Sequence, residues 1–91
     1  MRHLRRKSTQ RRIAAIEEAR GLLQTIADGD SDLLLTYLRV YGIYLSTSGM
    51  VEELRPLFRL PGIYVDSLNL NEDAHRTITT AAVRWLQEHS K

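Results

Sequence analysis

Arg2, Arg5, Arg6, Lys7, Arg11 and Arg12 put six cations into the first twelve residues, with no acid among them. Guanidinium forks at that density suit charge-assisted hydrogen bonding to phosphate or carboxylate oxygens. Cations at the start of a helix oppose its dipole, each by some tenths of a kcal/mol when exposed, so helix electrostatics does not account for them. An anionic partner reverses that sign, and the leading expectation is the nucleic-acid backbone. The segment has no interleaved aromatic residues, which points to phosphate contact rather than base reading. The competing readings are a solvated tail that aids solubility, an acidic protein surface and an anionic membrane. Arg5-Arg6-Lys7-Ser8 also fits the short Arg-Arg-x-Ser pattern of basophilic kinases. A phosphate on Ser8 would add about −1.5 to −2 charges and weaken contact with other phosphates.

Catalytic constellations are scarce. His3, His75 and His89 show neither i,i+4 nor HxH spacing for a metal, and no cofactor is expected. Asp28, Asp30 and Asp32 alternate like the start of a calcium loop, but the glycine and the closing glutamate of such a loop are missing, so turn and cap chemistry is the simpler reading. Gly-Ile-Tyr occurs twice, at 42–44 and 62–64. Nucleases named for that triplet also need a Tyr-Ile-Gly strand, which is absent. The contexts differ too: Gly42 lies in an apolar run, whereas Gly62 follows Pro61. Packing is the expected role of both triplets, and the chain is expected not to be an enzyme.

The elements that must position these residues belong to a chain of 91 residues, most simply one domain. Residues 1–12 form a basic N-terminal arm and residues 13–91 a single helical domain. That body carries seven Lys and Arg against eleven Asp and Glu, a balance of −4. There is no cysteine, hence no disulfide scaffold and no thiolate chemistry. No apolar run approaches the ~18–20 residues needed to span a bilayer, and a cytoplasmic setting is expected.

Ser8 or Thr9 is a candidate cap for a first helix running to about Ala27. Ile13, Ile16, Ala19, Leu23, Ile26 and Ala27 supply its apolar stripe. Asp30 to Asp32 offer a cap and an acidic start for a second helix. Leu34, Tyr37, Leu38, Tyr41 and Leu45 fit one face of it, although residues 37–47 also have the β-branched and aromatic content of a strand. Met50 to Arg59 reads as a short third helix limited by Pro56. Residues 63–70 read as extended or irregular. Asn71 would cap a last helix with the stripe Ala74, Ile78, Ala82, Trp85 and Leu86, and with a Glu72–Arg76 pair at i,i+4.

Tyr41-Gly42, then Ser48-Gly49-Met50-Val51-Glu52-Glu53-Leu54, then Leu57-Phe58, resembles the helix-turn-helix of a pentatricopeptide repeat. Proteins of that family stack such hairpins to read single-stranded RNA. The stretch between Tyr41 and Gly49 is longer than the repeat's, and Pro56 interrupts its second helix. The resemblance implies a helical hairpin here and no RNA-reading residues.

The expected fold is therefore all-α, with about four helices packed as antiparallel hairpins and the third helix short. The expected function is a small non-enzymatic, nucleic-acid-associated protein whose body docks on a protein partner or on itself. The alternative is a protein–protein interaction module without nucleic-acid binding. Its surface would be Tyr37, Tyr41, Tyr44, Phe58 and Tyr64.

Overall fold

The computed structural model describes residues 2–29, 32–47, 51–63 and 72–89, with side chains from residue 9 onward. Among the described residues there are four helices and no strand: α1 (Arg2–Asp28), α2 (Leu33–Ser46), a 3-10 helix (Glu52–Phe58) and α3 (Glu72–Glu88). Residues 37–46 are helical, which settles the helix–strand ambiguity in that stretch.

The first helix starts earlier than the Ser8 or Thr9 cap predicts, at Arg2, and runs 27 residues, about 40 Å. Arginine, lysine, leucine and glutamine are good helix formers, and no glycine or proline interrupts the chain before Gly21, so nothing forces a break at Ser8. Burial nevertheless begins only at Ala15, and Thr9 to Ala14 are all exposed. Ile13 is therefore not part of the core, being 50% exposed. It lies about 160° around the helix from Ala15. Ala19, Leu23 and Ile26 carry the buried stripe, and Gly29 ends the helix at a φ of 74°.

Asp32 caps α2, its carboxylate accepting the Leu35 amide at 3.1 Å. The buried face of α2 is Leu33, Thr36, Tyr37 and Val40. Of the stripe expected from spacing, Tyr37 is buried and Leu34 and Tyr41 are half-buried. Leu38 and Leu45 face solvent, together with Leu35. The helix is apolar around most of its circumference, and the positions of α1 and the 3-10 helix decide which side is covered.

The third helix is 3-10 rather than α, and it passes through Pro56. Val51, Leu54 and Leu57 step by three residues, the period of that helix, and all three are buried. After it, the Ile63 amide donates to the Leu60 carbonyl at 3.1 Å across Pro61 and Gly62, with Gly62 at a φ of 75°. Proline then glycine at the two central positions is the signature of a type II turn. The two Gly-Ile-Tyr triplets are thus unrelated locally: Gly42 sits inside α2, and Gly62 sits in this turn. Where the pentatricopeptide resemblance implies a second α-helix, the chain has a 3-10 helix. Residues 64–71, including Tyr64 and the Asn71 cap, lie outside the described residues.

Ala74, Ile78, Ala82 and Trp85 of α3 are buried and Leu86 is half-buried, as their spacing predicts. They join residues of α1, α2 and the 3-10 helix in one core cluster.

Candidate functional site

Two surfaces concern the predicted site residues. The first is the basic end of α1. Arg2, Arg5, Arg6 and Lys7 lie in its opening turns, and their side chains are outside the described residues. Arg11 is exposed and has no ion pair among the described residues. Arg12 differs, because its guanidinium pairs with the Glu53 carboxylate on the 3-10 helix. Glu53 also acts through its backbone, where the carbonyl accepts the Trp85 indole N–H at 2.7 Å. One residue therefore joins α1, the 3-10 helix and α3 at the point where the basic segment meets the body. The Glu72–Arg76 pair expected from spacing is not formed; Arg12–Glu53 is the one ion pair among the described residues. Both members of the expected pair are exposed, where hydration competes with so weak an attraction.

The second surface is the aromatic set. Tyr37, Tyr41 and Tyr44 surround Phe58, with ring centroids 5.5, 5.0 and 5.3 Å from it. Such spacings are typical of favourable tilted and edge-on aromatic pairs. Tyr37 is 1% exposed and its hydroxyl donates to the Leu57 carbonyl at 2.7 Å, so it ties α2 to the 3-10 helix inside the core. Burial, with a smaller contribution from nearby Tyr41, pushes its pKa up to about 12. Tyr41, Tyr44 and Phe58 are half-buried, and Arg55 Nε approaches the Tyr44 hydroxyl at 3.4 Å. Four of the five residues expected to form an interface are thus brought together, and Tyr64 lies outside the described residues.

A third feature has no counterpart in any sequence motif. Leu57, Leu60, Ala81 and Trp85 line a groove of about 430 Å³ between the 3-10 helix and α3, edged by Arg76 and Arg84. His89 also lines it, stacked on Trp85 at 4.2 Å, with its backbone carbonyl held by Arg20 at 2.9 Å. The groove joins residues from separate elements and becomes visible only once they pack.

His75 is exposed on α3, and no group of three or more His, Cys, Asp or Glu suited to a metal occurs among the described residues. Asp28 accepts a hydrogen bond from Gln24, and Asp32 caps α2. Both therefore have local structural roles, and Asp30 lies outside the described residues. No described helix is long and apolar enough to cross a membrane. No protein-family model matches the chain, and neither a curated protein nor a solved structure matches it significantly.

Proposed function

We propose that this is a small non-enzymatic, nucleic-acid-associated protein of the cytoplasm, whose basic segment contacts phosphates while the helical body docks protein. One observation carries the reading. The acid-free run of six cations belongs to a helix whose exposed stretch from Thr9 to Ala14 contributes nothing to the core. The stretch from Thr9 to Ala14 does not serve packing, and a phosphate backbone is the partner that turns the mutual repulsion of six clustered cations into binding. Arg2, Arg5, Arg6, Lys7 and Arg11 are the proposed contacts, and Arg12 joins them when it leaves Glu53.

The test is affinity for generic DNA and RNA across a salt series, for the full chain and for a variant with those five residues changed to Gln. Keeping Arg12 preserves its bond to the body. Five neutralised phosphates predict a log–log salt slope of about −4.5 on duplex DNA, flattening in the variant. Equal binding by the two proteins, or a flat salt response in both, refutes the proposal.

The alternative is a protein-interaction module without nucleic-acid binding, and the apolar solvent face of α2 favours it. Leu35, Leu38 and Leu45 remain exposed there, next to half-buried Tyr41.

A further inference from the structure

The exposed face of α2 has a spacing that the single chain does not use. Leu35, Leu38, Gly42 and Leu45 step by three, four and three residues along one side of the helix. The three leucines are 55%, 39% and 55% exposed. Read from either end, the order of steps is the same. Gly42 is also unexplained within the chain: a Cβ there would meet nothing within 4 Å, and helix interiors disfavour glycine relative to alanine.

We propose that a second copy of this chain covers this face, with the two α2 helices packed antiparallel about a two-fold axis level with Val40. In that register Leu35 meets the partner's Leu45, and Leu38 meets the partner's Gly42, each contact occurring twice. A large residue then faces a small one in the two central layers, and the helices approach closely where glycine lacks a side chain. A parallel pair would instead set Gly42 against itself and Leu38 against itself, leaving a gap beside a bulge.

Charge supports the same occupant. Glu18 of α1 and Arg39 of α2 border one depression beside Gly42, and neither makes an ion pair among the described residues. An antiparallel two-fold pair brings like flanks together, which carries the partner's Arg39 level with residue 41. There it lies within reach of Glu18, and symmetry forms the pair twice. The expected area is modest. A 14-residue helix is about 21 Å long, and two such faces bury on the order of 800–1,000 Å² in total, below the ~1,200 Å² at which standard stable complexes begin. An interface of that size belongs with weak, transient encounters, so the dimer dissociates on dilution. This names the partner for the docking half of the proposed function and rests on that half alone.

Sedimentation equilibrium of the full chain from about 1 to 500 μM tests it. The expected mass climbs from the 10.5 kDa chain towards twice that value. Leu38→Glu should weaken association at least tenfold while leaving the circular dichroism and melting temperature unchanged. Gly42→Ala should raise the melting temperature of the dilute protein yet weaken association several-fold, an opposition of signs that a purely structural role would not produce. Arg39→Glu should weaken association, and adding Glu18→Arg should restore it. A mass fixed at that of one chain, a mass climbing past two, or association indifferent to all these substitutions overturns the dimer. A chain that stays monomeric yet binds nucleic acid with a salt slope refutes the dimer and leaves the phosphate reading standing.

Discussion

Replacing Tyr37 by Phe tests the core where the sequence suggested an interface. At neutral pH the loss is one hydrogen bond, 2.7 Å from the Tyr37 hydroxyl to the Leu57 carbonyl, in a site that is 1% exposed. A buried carbonyl left without its donor costs about 1–2 kcal/mol, and the ring still fills its place against Phe58. Alkaline pH reverses the comparison. The tyrosine's pKa is pushed up to about 12 in the folded chain, against about 10 unfolded. The neutral phenol is the form the fold favours, so its contribution is complete below pH 10 and disappears as pH rises through 12. The two-unit difference corresponds to about 3 kcal/mol, of which about half is gone by pH 11. Urea unfolding of both proteins at pH 7, 9, 10 and 11 should show the gap between them closing to near zero at pH 11. Ultraviolet titration of the folded wild type should show one tyrosine ionising late. If all the tyrosines ionise together near pH 10, or if Tyr37→Phe costs nothing at pH 7, the aromatic set does not tie α2 to the 3-10 helix.

Three other substitutions test the junctions. Glu53→Gln should cost within about 1 kcal/mol in thermal unfolding, because Arg12 and Glu53 are 45% and 26% exposed and such pairs are weak. The released Arg12 should steepen the nucleic-acid salt slope by about 0.9. Trp85→Phe should cost about 2–3 kcal/mol by urea titration, since it orphans the Glu53 carbonyl and leaves space behind a side chain that is 3% exposed. Asp32→Ala should lose about 1 kcal/mol in the same assay, through the unanswered Leu35 amide at the start of α2.

How far such a chain can be read in advance depends on how much contrast each helix carries. In α3, polar residues surround Ala74, Ile78, Ala82 and Trp85, so only one face can turn inwards, and it does. In α2 the contrast fails. Leu34, Leu38 and Leu45 are as apolar as Leu33, Val40 and Ile43, so spacing alone predicts a helix without its rotation. Rotation is decided by contacts distant in sequence, such as Tyr37 reaching Leu57, 20 residues away. The start of α1 escaped notice for a different reason. Helix propensity continues through the arginines, whereas Ser8 and Thr9 offer a cap that the backbone has no need to use.

The same distinction separates the candidate surfaces. A cluster of six cations declares itself because charge is additive along the chain and needs no fold to be counted. The groove beside Trp85 and the contact of Arg12 with Glu53 each join residues tens of positions apart, and no local pattern encodes them. Glu53 belongs to both: it lines the groove and pairs with Arg12. Its carboxylate holds the cation nearest the body, while its backbone carbonyl anchors the indole of α3. A phosphate reaching Arg12 competes with the carboxylate alone, because the carbonyl's bond to Trp85 does not depend on charge. On the proposed reading, exchanging one anion for another at that point would leave the core untouched, so the basic helix would bind and release without unfolding what it is built on.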